Sequence, residues 1–191
     1  MSQNRKLKVC LIGGTFDPIH LGHTYIAARC KRELGMDKVI FLPCRQSPHK
    51  LTKQNAPDNH RLKMCQLATA NFPWAEVSDH DLTAPIPSYS WRTAEHFTEQ
   101  YPDAELYWLM GADQWETIQK WDRAEHLASL VKFIVISRGE DPAEIPGFER
   151  TSLTGAHTAS ATAIRQDASA TNSISYLHPE VLHYVKEHQL Y

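Results

Sequence analysis

Eleven consecutive residues, Gly13-Gly14-Thr15-Phe16-Asp17-Pro18-Ile19-His20-Leu21-Gly22-His23, carry the residue types that phosphate chemistry needs. They follow an apolar segment, Leu7 to Ile12, that reads as a short buried strand, and they lead into Thr24-Tyr25-Ile26-Ala27-Ala28-Arg29, which reads as a helix. A strand that breaks at two glycines and re-enters a helix leaves backbone N–H groups unpaired, with the positive end of the helix dipole behind them. That is an anion site. His20 and His23, three residues apart on the opening turn, project toward the same mouth. Phosphate chemistry at such a site requires no protein nucleophile. It requires the reacting anions held in line and their developing charge stabilised. The glycine-loop amides and the histidine N–H groups are suited to this, with electrostatic stabilisation ahead of general acid work.

The spacing excludes commoner phosphate loops. No Lys followed by Ser or Thr comes after a distal glycine, so this is not the P-loop of ATPases, and the three-glycine dinucleotide fingerprint is absent. His20 and His23 lack the intervening Glu and the i,i+4 spacing of a helical zinc-protease motif.

The pattern Gly-Gly-Thr-Phe-Asp-Pro-x-His-x-Gly-His resembles the signature of nucleotidyltransferases related to the class I aminoacyl-tRNA synthetases (the HIGH-type fold). Within them it most resembles the bacterial nicotinate mononucleotide adenylyltransferases. The resemblance spans about Lys8 to the terminal helix. It implies catalytic roles for His20, His23 and Arg165, and ATP or phosphate contacts from Gly13, Gly14, Thr15 and Phe16. The family's second motif, Ile-Ser-Ser/Ala-Thr-x-Ile-Arg, is matched by Ser160, Thr162, Ile164 and Arg165, with Ala159 in place of the usual Ile. A helix N-terminus with hydroxyls and a guanidinium suits the β- and γ-phosphates. Ser47-Pro48-His49-Lys50 resembles a family segment whose cation, here Lys50, approaches the phosphates. Asp113 of Gly111-Ala112-Asp113 corresponds to a residue that meets the ATP ribose, and Trp121 to one that stacks on the pyridine ring. Pro87-Ser88-Tyr89-Ser90 matches a Pro-Ser-Tyr-Thr segment, which implies that backbone N–H groups of Ser88, Tyr89 and Ser90 meet the pyridine carboxylate. Asp122 stands where an aromatic residue is frequent, and its charge bears on the choice between acid and amide. Trp115 reads as packing.

Apolar runs alternating with helical patterns must position these residues, and that alternation signals βαβ units with a parallel sheet. Strands are expected at Leu7–Ile12, Val39–Leu42, Trp74–Val77, Glu105–Met110 and Val131–Ile136. Helices are expected at about Leu21–Leu34, from Asp58 as cap to Ala70, from Ser88 or Ser90 as cap, after Gly111, over Arg123–Ser129, from Ser160 to about Gln166, and from Pro179. Arg138 to Thr158, with its glycines and prolines, reads as a mobile surface segment. The glycine pair, Gly111-Ala112-Asp113 and Ser137-Arg138 all fall at strand carboxyl ends, where open α/β sheets bind ligands.

With 191 residues the chain is long enough for one domain (1–191) with a small helical portion from about 159, and 42% hydrophobic against 22% charged residues marks it as globular. A net charge of −2 gives no reason to expect nucleic acid, although Arg45, Lys50, Arg138 and Arg165 could make a local basic pocket. Apolar runs fall short of the roughly 20 residues of a membrane helix, and polar residues from Met1 to Lys8 lead straight into the first strand, so the expected location is the cytoplasm. Cys10, Cys30, Cys44 and Cys65 show no paired spacing and read as unpaired thiols, Cys10 in a core strand and Cys30 and Cys65 on helix faces.

The expectation is a Rossmann-like α/β enzyme, a parallel sheet with helices on both faces. By the resemblance it transfers AMP from ATP to nicotinate mononucleotide, releasing deamido-NAD and pyrophosphate. Mg²⁺ would be held mostly by phosphates and water, with no protein metal site, since no carboxylate cage is evident. The resemblance is compatible with a homo-oligomer. The rivals are transfer to nicotinamide mononucleotide or phosphopantetheine, a non-catalytic nucleotide-binding module, and a zinc hydrolase built on the histidines.

Overall fold

Six strands, all parallel, form one sheet in the order β3-β2-β1-β4-β5-β6. A computed structural model describes residues 5–46, 55–155, 157–166 and 173–191. In chain order the elements are β1 (Lys8–Gly14), α1 (Leu21–Glu33), β2 (Lys38–Pro43), α2 (Asp58–Thr69), β3 (Ala75–Val77), α3 (His80–Thr83), α4 (Ser90–Gln100), β4 (Glu105–Gly111), α5 (Ala112–Trp115), α6 (Ala124–Leu130), β5 (Lys132–Ser137), β6 (Arg150–Thr154), α7 (Ala161–Gln166) and α8 (Pro179–Glu187). Short 3-10 turns occupy Ile118–Lys120 and Ser173–Tyr176.

The central strands are apolar without interruption because helices cover both faces of the sheet. Val9 to Ile12, Val39 to Leu42 and Phe133 to Ile136 are buried. Side chains alternate between the faces with the two-residue period of a strand. Cys10, Ile12, Phe41 and Leu109 pack against Ala27 and Cys30 of α1, Met64 and Cys65 of α2 and Val181 of α8. Leu11, Ile40, Trp108 and Phe133 pack against Ala94 and Phe97 of α4, Trp115 and Leu127. All four cysteines are buried and unpaired, with Cys10, Cys30 and Cys65 on the elements expected for them.

The strand order reverses between β1 and β4, so the chain leaves their carboxyl ends in opposite directions. A crevice opens where it does so. Gly13-Gly14 ends β1 and Gly111 ends β4, which places both loops on that crevice.

Four local expectations are corrected. The segment after Arg138 is not merely surface loop, because residues 150–154 add a sixth strand to the edge of β5. Only Leu153 of that strand is buried, so its polar, single-partner pattern lacks the apolar signature of a central strand. The same stretch is tied inward by Phe148, which is buried, and by the Ala143 carbonyl, which accepts from Trp115 Nε1 at 2.8 Å. The one-turn helix α3 was not expected. Neither Ser88 nor Ser90 caps α4: Ser90 is its first helical residue, and the Ser88 hydroxyl donates to the Asp81 carbonyl at 3.1 Å. Asp58 likewise lies within α2, behind Pro57, and its carboxylate binds Arg61 instead of capping.

Candidate active site

The glycine turn is shaped by close approaches. A Cβ on Gly14 would lie 3.0 Å from the Phe16 ring, and one on Gly22 would lie 3.0 Å from the His20 ring. Phe16 itself has φ 49°, a left-handed conformation that costs a non-glycine residue energy and persists only where packing enforces it. Part of that enforcement comes from Arg61, which is fully buried. It donates to the carbonyls of Thr15 (2.6 Å) and Ala56 (3.0 Å) and to Asp58 Oδ1 (2.5 Å). A buried guanidinium with this many acceptors braces the turn from beneath.

His20 precedes α1, and its backbone N–H donates to His23 Nδ1 at 3.2 Å. With Nδ1 accepting, neutral His23 carries its proton on Nε2. The two rings stack at 3.7 Å, and His23 meets the edge of Phe16 at 5.0 Å. His20 Nδ1 is buried without a partner. Burial, with smaller effects from His157 and His178, lowers the His20 pKa to about 4, and burial next to His20 lowers that of His23. Both are therefore neutral donors at pH 7 until a bound polyphosphate raises their basicity.

A stability prediction follows from the sign of that shift. A depressed folded-state pKa contributes stability that is complete above the unfolded value near 6.5 and is lost as pH falls toward 4. Asp81, raised to about 6 by burial, works in the opposite sense. The effect of His20 is therefore isolated by comparison: between about pH 6.5 and pH 4 the melting temperature of the ligand-free protein should fall more steeply than that of His20→Gln. Parallel melting curves across that window would contradict the assigned shift.

Two cavities flank the glycine turn. The larger, of about 660 Å³, is lined by Gly13, Gly14, Phe16, His20, His23, Gly111, Asp113, Arg138, His157 and Ala159, among others. The smaller, of about 380 Å³, is lined by Gly13, Gly14, Thr15, Cys44, Asp81, Ser88, Tyr89, Ser90, Trp121 and Asp122, among others. Gly13, Gly14, Asp113 and Gln114 line both, so the two chambers meet along the ends of β1 and β4. Asp113 folds back over Gly111 so closely that a Cβ there would lie 2.6 Å from its Oδ1.

The structure thus brings together Gly13, Gly14, Phe16, His20, His23 and Asp113 in one chamber, and Thr15, Ser88, Tyr89, Ser90 and Trp121 in the other. Two of the backbone donors named for the pyridine carboxylate have partners within the protein. The Ser88 N–H donates to the Gln46 carbonyl at 3.0 Å and the Tyr89 N–H to the Pro87 carbonyl at 2.9 Å, so both are engaged within the protein. Asp122 lines the smaller chamber with its Oδ2 accepting from Trp91 Nε1 at 2.7 Å. Trp115 is core, as expected.

Ser160, Thr162 and Arg165 line neither chamber. Arg165 donates to the Asp17 carbonyl, lies 3.8 Å from Asp17 Oδ2 and donates to Thr162 Oγ1 at 3.3 Å. Asp17 is buried, and its Oδ1 also accepts from Tyr191 Oη (2.6 Å) and from the Ala56 N–H (3.1 Å). The second motif therefore reaches the first through Asp17, whose carbonyl and carboxylate both face the Arg165 guanidinium. Lys50, with Ser47 and His49, lies outside the described residues. Sequence reasoning missed Arg61, Asp81 and His157. The Asp58–Arg61 pair, three apart on a helix, was the one signal available for Arg61; Asp81 and His157 had none.

A parallel 3-2-1-4-5-6 sheet with a glycine turn and paired histidines at its switch point defines a Rossmann-like nucleotidyltransferase. The cytidylyltransferase-like family model matches residues 11–175. A probable nicotinate-nucleotide adenylyltransferase of Methylacidiphilum infernorum is 36% identical over 200 aligned positions, covering 100% of this chain and 95% of that protein. One from Listeria monocytogenes is 33% identical, covering 97% of this chain and 98% of the relative. The chain belongs to the cytidylyltransferase-like family and, within it, to the nicotinate-nucleotide adenylyltransferases. Its fold is that of the Plasmodium falciparum nicotinic acid mononucleotide adenylyltransferase solved with NaAD, at TM-score 0.80 and 20% identity over 96% of this chain and 97% of that one. Among the described residues no helix is long and apolar enough to cross a membrane.

Proposed function

We propose that the protein transfers AMP from ATP to nicotinate mononucleotide, forming deamido-NAD and pyrophosphate. The observation that carries this reading is the pair of chambers sharing Gly13, Gly14, Asp113 and Gln114. ATP occupies the histidine chamber and the pyridine nucleotide the chamber of Ser88 to Ser90 and Trp121, so the two phosphates meet at the common wall. An oxygen of the acceptor phosphate attacks the α-phosphorus of ATP, and the bond from that phosphorus to the β-bridging oxygen breaks, with pyrophosphate leaving. The glycine-turn amides and the Nε2–H of His23 donate to the oxygens on which charge accumulates, and His20 lies against the same ring. Holding the two anions in line lowers the barrier without a covalent intermediate.

Mg²⁺ fits as an ion carried in by the nucleotide. Held mostly by the phosphates and by water, it would need few ligands from the chain. When bound it neutralises polyphosphate charge, with Asp113 the nearby carboxylate on the shared wall.

The test is pyrophosphate release from ATP and Mg²⁺ with nicotinate mononucleotide, nicotinamide mononucleotide or phosphopantetheine as acceptor. Release with the nicotinate nucleotide at the highest kcat/KM is expected. Release with phosphopantetheine alone, or with none of the three, would overturn the reading.

A further inference from the structure

The small chamber contains an acid that neither motif includes. Asp81, on the unexpected helix α3, is 4% exposed and lines the cavity with Ser88, Tyr89 and Trp121. Its position is rigidly defined. The carbonyl accepts from the Arg45 N–H (3.2 Å) and from Ser88 Oγ (3.1 Å), and Oδ1 accepts from Thr93 Oγ1 of α4 at 2.6 Å. Two of the backbone donors expected to receive a nicotinate carboxylate, Ser88 and Tyr89, are spent inside the protein. A buried carboxylate next to a ligand carboxylate is untenable while both are charged.

We propose that Asp81 reads the substituent of the pyridine ring, donating a hydrogen bond from its protonated form to a nicotinate carboxylate and, when ionised, accepting one from a nicotinamide NH₂. This rests on the adenylyltransferase reading above and extends it to selectivity. A proton on Oδ2 leaves the Thr93 bond to Oδ1 in place, so the acid form needs no rearrangement. Burial already raises the Asp81 pKa to about 6, against a smaller opposing effect of the Thr93 hydroxyl. A ligand carboxylate alongside raises it further, so the acid acceptor binds together with a proton and the amide acceptor does not.

Other ionisable groups around Asp81 are accounted for. Cys44, at the exit of β2, is held neutral by burial, and the Arg61 guanidinium of α2 is engaged by Asp58 and by the Thr15 and Ala56 carbonyls. The Arg45 side chain pairs with Asp58. His80, adjacent on α3, is stacked on His96 of α4 at 3.8 Å and has a lowered pKa, chiefly from burial. Asp113 and Asp122 also line the cavity, the latter bonded to Trp91.

The experiment is the ratio of kcat/KM for nicotinate over nicotinamide mononucleotide, measured between about pH 5 and pH 8.5. Titration of the acceptor phosphate (pKa near 6) and of the ATP-side histidines affects both acceptors alike and cancels in the ratio. The ratio should decline as pH rises above about 6, by up to roughly 10-fold per pH unit, the slope for uptake of one proton. In Asp81→Asn, whose amide always has a donor, the ratio should be independent of pH. Thr93→Val, which removes the hydroxyl that favours the ionised form, should keep the decline and move its midpoint upward, and it keeps the test open if Asp81→Asn fails to fold. A flat ratio in the native protein, or a decline that persists in Asp81→Asn and so belongs to His80, overturns the assignment. So does an equal loss for both acceptors in Asp81→Asn, which would make Asp81 a ribose ligand. Absence of turnover with either acceptor would instead strike the adenylyltransferase reading itself.

Discussion

Replacing His23 with alanine should lower kcat by roughly 10²–10⁴-fold while leaving the acceptor KM nearly unchanged. The imidazole accepts from the His20 N–H through Nδ1, so its remaining proton sits on Nε2, within the chamber wall. A donor held there acts on charge that accumulates on the α-phosphate only as it is attacked. Alanine also removes the acceptor at the start of α1, which would leave the His20 N–H unpaired and loosen the turn. His23→Gln separates the two effects, because a glutamine at this helical position reaches back to the same N–H. The glutamine variant should melt near the native temperature and still show the kcat loss. Recovery of most of the turnover in His23→Gln would assign His23 to the turn and not to the chemistry, and a change confined to KM would make it a binding residue.

Trp121→Ala should weaken either pyridine nucleotide by about 1–3 kcal/mol, roughly 5- to 150-fold, by analogy with the loss of a stacked base. Trp121 lines the small chamber and not the histidine chamber, so ATP affinity should change little. Stacking reports a flat ring whatever its substituent, so the ratio of the two acceptors should stay constant in this variant. That constancy distinguishes Trp121 from Asp81, whose substitution should alter the ratio. Direct titration calorimetry with ATP and with each mononucleotide checks both statements, and an equal loss for ATP would place the two substrates in the wrong chambers.

The strands β1, β2, β4 and β5 were legible because each is a continuous apolar run between helical patterns, and a strand buried on both faces has no other composition available to it. The histidine chamber was legible for a similar reason: Gly13, Gly14, His20 and His23 lie within one strand-turn-helix, and covalent adjacency dictates that they share a mouth. The edge strand β6 and the single turn of α3 were not legible. One buried residue in five, or a four-residue helix, leaves no period to read.

The sequence by itself therefore determined the class of fold, the glycine turn and the residues of its first helical turn, all features set by neighbours within a few positions. Tertiary structure decided the rest, because each depends on a partner far along the chain. Arg165 donates to the carbonyl of Asp17, 148 positions away. Thr15 is held by Arg61, 46 positions on. The Ser88 N–H is taken by Gln46, and Asp81 is brought beside Thr93 and Trp121 in one cavity. A buried polar group must find a partner wherever the fold supplies one, and no local pattern in the chain records which partner that is.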